Sequence, residues 1–184
     1  ETVKQALDKM ASFEDVHFFW GDERCVPPDA AESNFLIAAE HLFAPLRIAE
    51  EQIHRIKGES DETFAVNQAD SEICRVAELN GKGQPVLDLV FLGIGEDGHV
   101  ASLFPHDTEA FESCAVYRAI TGPKPPPRRI TLGYPALIEA RAVWVLASGK
   151  GKADILRSSL ADDNSTPLAR VLSSRTHTEI FTDF

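Results

Sequence analysis

The chain has 184 residues, of which 43% are hydrophobic, so it can bury a full core and is most simply one domain spanning residues 1–184. It carries 18 basic and 29 acidic residues, a net charge of -11, which argues against nucleic acid or an anionic membrane as partner. Cys25, Cys74 and Cys114 form no Cys-x-x-Cys pair, and no stretch is apolar enough to span a bilayer, so we expect a reduced, cytoplasmic protein.

The predicted elements alternate between helices and strands. Val3, Ala6, Leu7 and Met10 have helical spacing and indicate a helix over the first dozen residues. The elements that follow are, in chain order, a strand at 16–20, helices at 35–43 and 64–79, strands at 87–92, 115–121, 129–132 and 143–147, helices at 152–160 and 168–172, and a strand at 179–181. This alternation predicts an α/β fold with a mostly parallel, doubly wound, Rossmann-like sheet and helices on both faces.

Two of these strands lead into polar loops of the kind that hold active sites in α/β enzymes. The strand at 87–92 leads into Gly93-Ile-Gly-Glu-Asp-Gly-His99, and the strand at 16–20 leads into Gly21-Asp-Glu-Arg24. Because the carboxyl ends of parallel strands lie at one edge of a sheet, we expect both loops to face one pocket.

The first of these loops also has the glycine spacing of a dinucleotide-binding fingerprint. However, Glu96 and Asp97 would place two negative charges beside a pyrophosphate, and Pro105 leaves scarcely two turns of helix after the loop. The next strand ends in Thr121, where an acid is needed to bind a ribose. We therefore reject a nucleotide cofactor.

His99 is the candidate general base. An unperturbed imidazole titrates near pH 6.5, so at neutral pH it can take a proton from water, and the preceding Gly98 lets a substrate approach closely. A carboxylate is expected to orient either this base or a hydroxyl of the substrate. The candidate acids are Asp22, Glu23, Glu96 and Asp97. The other histidines have no metal-type spacing, so we expect no metal site.

Basic residues beside both loops are candidate phosphate ligands. Arg24 offers a planar fork suited to phosphate. Lys150 and Lys152 precede a predicted helix, whose N-terminus favours an anion. The pair Arg128 and Arg129 supplies one more candidate, and the sequence leaves open which of the two faces the site.

Together these motifs resemble the 6-phosphogluconolactonases, whose superfamily also contains the glucosamine-6-phosphate deaminases. The matching segments are Trp20-Gly-Asp-Glu-Arg24, Ser33-Asn34 and Gly93-Ile-Gly-Glu-Asp-Gly-His-Val-Ala-Ser-Leu-Phe-Pro105, with weaker likeness in Arg129-Ile-Thr-Leu132 and Ser148-Gly-Lys-Gly-Lys-Ala153. The resemblance implies hydrolysis of 6-phospho-D-glucono-1,5-lactone to 6-phosphogluconate, in the oxidative pentose phosphate pathway, without a metal or organic cofactor.

The resemblance also implies roles for individual residues. His99 would activate water, with Asp22 and Asp97 completing the catalytic set, and backbone N–H groups of the glycine loop would stabilise the oxyanion. The implied substrate-binding residues are Arg24, Gly95, Gly98, Arg129 and Lys152. The partner would be a small sugar-phosphate lactone, bound by a monomer or weak homodimer.

The chain departs from this resemblance at both ends. Members usually begin with a strand and a Gly-Gly-Ser-Thr-Pro-like loop that cradles the phosphate, and no such segment precedes Trp20. Members also continue into a final helix beyond the last predicted strand. We therefore expect the domain to be truncated at both ends, lacking the first strand and the last helix, and to be less stable and less active for it.

Two rival functions remain. A glucosamine-6-phosphate deaminase would resemble Asp-Glu-Tyr at positions 22–24 and Ala-Phe-Asn-Glu at positions 101–104, where this chain has Asp22-Glu-Arg24 and Ala101-Ser-Leu-Phe104. A non-catalytic sugar-phosphate-sensing domain would not need His99, and no DNA-binding segment accompanies it. Both comparisons favour the lactonase.

Overall fold

The computed structural model describes residues 12–161 and 166–184. The helix predicted from Val3, Ala6, Leu7 and Met10 lies outside these residues. Within them, helices and strands alternate as the sequence indicated, and the α/β class is confirmed. None of the described helices combines the length and apolar character that crossing a membrane requires.

The strands of the described residues are short. They are β1 (Phe18–Phe19), β2 (Asp22–Arg24), β3 (Ile53–His54), β4 (Glu78–Leu79), β5 (Pro85–Val86), β6 (Leu89–Gly93), β7 (Tyr117–Thr121), β8 (Arg128–Leu132), β9 (Ala142–Ala147) and β10 (Glu179–Thr182). The α-helices are α1 (Asn34–Ala38), α2 (Ala44–Leu46), α3 (Glu62–Val76), α4 (Glu109–Glu112), α5 (Tyr134–Glu139), α6 (Ala153–Ala161) and α7 (Pro167–Ser173). A π turn at Ala39–Phe43 joins α1 to α2, and a 3₁₀ turn at Lys150–Lys152 precedes α6.

Parallel strands form two separate groups. β1 pairs with β3, while β6 and β10 pair with the two edges of β9. Val90 and Leu92 of β6, with Val143 and Val145 of β9, enter the core and are at most 6% exposed. Because side chains alternate along a strand, one face of this three-stranded group packs on the core and the other points away from it.

The remaining strands are antiparallel, which differs from the predicted single, mostly parallel sheet. β8 lies between β2 and β7 and runs antiparallel to both, and β4 pairs antiparallel with β5. The physical reason is the connection between β7 and β8: the segment 122–127 is long enough for a hairpin but too short for the crossover that parallel strands need.

The described helices cover the sheets unevenly. The helices α5 and α7 bury Leu137, Leu168 and Val171 completely. On the outer face of the β6-β9-β10 group, Phe91 and Phe181 remain 58% and 45% exposed. The described helices therefore leave part of this face uncovered.

Candidate active site

A cavity of about 600 Å³ lies where the carboxyl ends of β1 and β6 meet β2 and β8. Asp22 and Arg24 line it from the first sequence cluster, and Gly95, Glu96 and His99 line it from the second. The two strand-end loops thus face one pocket, as the sequence predicted.

The loop after β6 holds the imidazole of His99 against the carboxylate of Asp97. Nδ1 of His99 lies 2.5 Å from Oδ1 of Asp97, and the backbone N–H of His99 donates to the same oxygen at 3.2 Å. Burial acts to raise the pKa of Asp97, but the hydrogen bonds and charge of His99 outweigh it, so this pKa lies below its usual range. An ionised Asp97 draws the imidazole proton to Nδ1, which leaves the lone pair on Nε2.

Two glycines shape this loop. A Cβ atom on Gly95 would lie 2.1 Å from Nδ1 of His99, so no side chain fits beneath the imidazole. Gly98 has a φ of +81°, and a Cβ atom there would lie 2.6 Å from the side chain of Thr166. Gly95 is therefore required for space beside the imidazole, and Gly98 for its positive φ and for space beside Thr166.

The N–H groups of Gly95 and Gly98 bear on the oxyanion site predicted for the glycine loop. The N–H of Gly95 donates to the carbonyl of His99 at 2.9 Å, and the N–H of Gly98 donates to the carbonyl of Gly95 at 3.0 Å. Both donors are used within the loop. Gly95 lines the cavity, whereas Gly98 packs behind it, and both serve to hold His99 in place.

Donors from other elements hold the carboxylate of Asp22. The hydroxyl of Ser102 donates to Oδ2 at 2.6 Å, and Nδ2 of Asn34 lies 3.4 Å from Oδ1 and donates to the Asp22 carbonyl at 2.9 Å. NH1 of Arg129 lies 3.5 Å from the Ser102 hydroxyl. The Asp22 carboxylate is therefore held in one orientation, by residues other than His99 and Asp97.

Phe104 lies between the base and a buried arginine. The centres of the His99 and Phe104 rings are 4.9 Å apart, and the guanidinium carbon of Arg129 lies 5.8 Å from the centre of the Phe104 ring. This aromatic wall limits where the imidazole can turn.

Four cationic side chains line the cavity, namely Arg24, Lys124, Arg129 and Lys152. None of them belongs to an ion pair within the described part of the chain. NH1 of Arg24 donates to the carbonyl of Glu32 at 2.6 Å, while its buried Nε has no partner. Burial lowers the pKa of Arg129, and the nearby charge of Arg24 lowers it further. The cavity is thus a concentration of positive charge in an acidic protein.

Three of the sequence candidates lie elsewhere. Glu23 is buried, and its carboxylate accepts the backbone N–H groups of Arg24, Asn34 and Phe35 and the hydroxyl of Ser33. It therefore holds β2 to the start of α1. Arg128 is exposed, with its Nε 2.5 Å from Glu62, and Lys150 does not line the cavity. Of the two adjacent arginines, Arg129 is the one that faces the site.

Sequence reasoning gave no role to Asn34, Ser102 and Lys124. Asn34 and Ser102 lie inside motifs that carried the family resemblance, yet their contacts with Asp22 join residues far apart in the chain. Lys124 sits in the proline-rich segment 122–127, and its carbonyl accepts from Arg129 at 3.3 Å. Lys124 could have been proposed from the sequence, because it is a basic residue among prolines and lies close to the candidate Arg129.

Comparison with known proteins gives one consistent family. Residues 1–181 match the model of the family described as glucosamine-6-phosphate isomerases/6-phosphogluconolactonase. A curated 6-phosphogluconolactonase from Mycobacterium tuberculosis is 41% identical over 162 residues, covering 84% of this chain, and the match spans 65% of that relative's length. One from Haemophilus influenzae is 33% identical over 98% of this chain and 77% of its own length.

Solved structures agree with this family. The crystal structure of 6-phosphogluconolactonase from Thermotoga maritima has a TM-score of 0.81 and 30% identity, covering 98% of this chain and 77% of that chain. A monomeric glucosamine-6-phosphate deaminase has a TM-score of 0.80 at 17% identity, which shows a shared fold alone.

Proposed function

Because the chain belongs to the glucosamine-6-phosphate isomerase/6-phosphogluconolactonase family, we propose that it hydrolyses 6-phospho-D-glucono-1,5-lactone to 6-phosphogluconate. The observation that carries this proposal is the oriented His99–Asp97 pair on a cavity lined by four cations. A general base serves the attack of water, and the cations serve the phosphate of the substrate.

His99 is the general base of the proposed reaction. Its Nε2 takes a proton from water as the water oxygen bonds to the lactone carbonyl carbon. The bond between that carbon and the ring oxygen then breaks, and the ring oxygen leaves as a hydroxyl after the imidazolium returns the proton. One water is consumed and His99 is restored. General base catalysis of this kind contributes about 10² to 10⁴-fold.

The cations bind the phosphate and oppose the negative charge that develops on the carbonyl oxygen. A phosphate monoester carries about -1.5 to -2 charges at neutral pH, which matches the excess of cations in the cavity. Arg24, Arg129 and Lys152 are the assigned ligands. The N–H groups of Gly95 and Gly98 are used within the loop. Cationic side chains, rather than these two amides, therefore stabilise the oxyanion.

Asp22 has a different task from Asp97. Its carboxylate is held at the cavity by Ser102 and Asn34, which suits it to accept a hydrogen bond from a hydroxyl of the sugar ring. Such a contact orients the ring so that the carbonyl carbon faces the activated water. His99 and Asp97 form the proton-transfer pair, and Asp22 completes the catalytic set.

The setting of the enzyme is part of the same proposal. The net charge of -11 and the three free cysteines support a soluble, cytoplasmic protein that binds no nucleic acid or membrane and acts as a monomer or weak homodimer. We also propose that the chain is a single sugar-phosphate domain. The proposed hydrolysis uses water and His99 and requires no metal or organic cofactor.

A panel of three substrates tests the proposal. The purified protein is given 6-phosphogluconolactone, unphosphorylated gluconolactone and glucosamine 6-phosphate, with spontaneous lactone hydrolysis subtracted. We expect fast hydrolysis of the first, slow hydrolysis of the second and no ammonia from the third. Ammonia release would favour the deaminase, and binding without turnover would favour a sugar-phosphate sensor.

A further inference from the structure

Ser102 lies between two residues of the candidate site, on the loop that follows His99. It is completely buried. Its hydroxyl oxygen lies 2.6 Å from Oδ2 of Asp22 and 3.5 Å from NH1 of Arg129. The hydroxyl therefore separates a buried guanidinium from a carboxylate of the cavity.

The chemistry of the three groups fixes the directions of these hydrogen bonds. A guanidinium can only donate, so the Ser102 oxygen accepts from Arg129. The single hydroxyl proton is left for Asp22, and a separation of 2.6 Å is typical of an O–H group that donates to an ionised carboxylate. The charge of Arg129 thus polarises the hydroxyl toward Asp22.

Strand β8 sets the position of Ser102. The backbone N–H of Ser102 donates to Oγ1 of Thr131 at 3.1 Å. Thr131 is the register partner of Asp22 across the β2–β8 pair, and Arg129 lies on the same strand. Strand β8 therefore fixes the positions of Ser102, Asp22 and Arg129 relative to one another. The Ser102 hydroxyl holds Oδ2 of Asp22 before any substrate binds.

We propose that Ser102 is a positioning residue, whose hydroxyl keeps the Asp22 carboxylate turned toward the cavity and prevents it from pairing directly with Arg129. The inference rests on the proposed function, in which Asp22 orients a hydroxyl of the sugar. Without the serine hydroxyl, the opposite charges of Asp22 and Arg129 attract at short range in a poorly solvated place and close on each other. Asp22 is then drawn away from the substrate.

The test is a double-mutant cycle on lactone hydrolysis. We expect Ser102→Ala to lower kcat about tenfold, the effect of one charge-assisted hydrogen bond, with a smaller change in KM. Because Ser102 acts through Asp22, adding Ser102→Ala to Asp22→Asn should lower kcat no further than Asp22→Asn alone. A purely structural serine would instead lower kcat by the same factor in both backgrounds.

Ser33→Ala is the matched control. Ser33 is also buried, and its hydroxyl also donates to a carboxylate, at 3.1 Å from Oε2 of Glu23, which caps α1 and does not line the cavity. We expect Ser33→Ala to lower the melting temperature as Ser102→Ala does, with kcat close to wild type. Should Ser102→Ala fail to fold, Ser102→Cys keeps the shape of the side chain with a larger sulfur atom and a much weaker donor, and is expected to lower kcat as well.

The proposal is overturned if Ser102→Ala, or Ser102→Cys in its place, retains wild-type kcat, or if its effect is the same in the Asp22→Asn background. A crystal structure of the variant decides the matter independently of activity. Asp22 in contact with Arg129 supports the proposal, and Asp22 in its wild-type position overturns it. If the wild-type protein shows no catalysis, the proposed function fails, while this structure still decides the role of Ser102.

Discussion

Arg24 and Lys152 line the cavity, and the chain offers for each a residue of the same charge that does not. Arg24→Ala and Lys152→Ala should raise KM for the phosphorylated lactone about tenfold or more, because each removes a charge-assisted contact with the phosphate. Arg128→Ala and Lys150→Ala are the matched controls, since neither side chain lines the cavity. Steady-state kinetics distinguishes the two pairs, and equal effects in both would remove the phosphate assignment.

Salt gives a second measurement of the same contact. Ions screen charges over about 8 Å at physiological ionic strength, so added salt should raise KM for the phosphorylated lactone. The unphosphorylated lactone lacks the charge and should show a much smaller change. A salt effect of equal size on both substrates would mean that the cations of the cavity do not bind the phosphate.

At the scale of single elements, the loop after β6 depends on Gly95. Gly95→Ala places a Cβ atom 2.1 Å from the His99 ring, and the imidazole must turn away from Asp97. We expect kcat to fall about 10²-fold, since a misplacement of about 1 Å can have that effect. Gly81→Ala is the control, because nothing lies within 4 Å of a Cβ atom there. Normal kcat in Gly95→Ala would show that the imidazole position is not fixed by this glycine.

Helix α3 carries a carboxylate whose protonation links stability to pH. The hydrogen bond from Arg75 lowers the pKa of Glu72; burial opposes this and His54 adds to the lowering, so that the pKa is about 2. A lowered pKa stabilises the fold above the unfolded value of about 4.3 and loses this contribution as pH falls through the folded value. We therefore expect the free energy of unfolding to fall between about pH 4 and pH 2, less steeply in Glu72→Gln. Equal slopes from chemical denaturation would contradict this.

Elements with strong periodicity could be predicted from the sequence. Helix α3 and strand β9 lie where the apolar spacing placed them, within a few residues at each end. The strand β2 was interpreted as a charged loop, because Asp22-Glu-Arg24 has no apolar alternation, and only its pairing with β8 makes it a strand. Helix α5 was not predicted from the sequence. Its burial of Tyr134, Ala136 and Leu137 is seen only in the folded structure.

The candidate site likewise has residues that local sequence patterns predict and residues that only the folded structure identifies. The motifs predicted that Asp22, Arg24 and His99 line one cavity, and they do, although β2 and β6 belong to different sheets. The choice between Arg128 and Arg129 required the register of β8, in which neighbouring side chains point to opposite faces. The position of Ser102 required a tertiary contact with Asp22, 80 residues earlier in the chain, which no local pattern encodes.

At the scale of the whole molecule, β1 and β6 each have one unpaired edge among the described residues, and both strands line the cavity. Unpaired edges and exposed apolar side chains such as Phe91 and Phe181 favour self-association. We therefore expect the protein to self-associate as its concentration rises, which sedimentation velocity measures. A monomer at every concentration would contradict this.

If His99 is the general base of a lactonase, its removal must abolish most of the hydrolysis of the phosphorylated lactone. The disappearance of 6-phosphogluconolactone is followed by ³¹P NMR at pH 7 with wild type, His99→Ala and buffer alone, together with His41→Ala, an exposed histidine outside the cavity. We expect wild-type and His41→Ala rates far above buffer, and a His99→Ala rate lower by about 10² to 10⁴-fold with folding intact. A wild-type rate equal to buffer, or a His99→Ala rate equal to wild type, would contradict it.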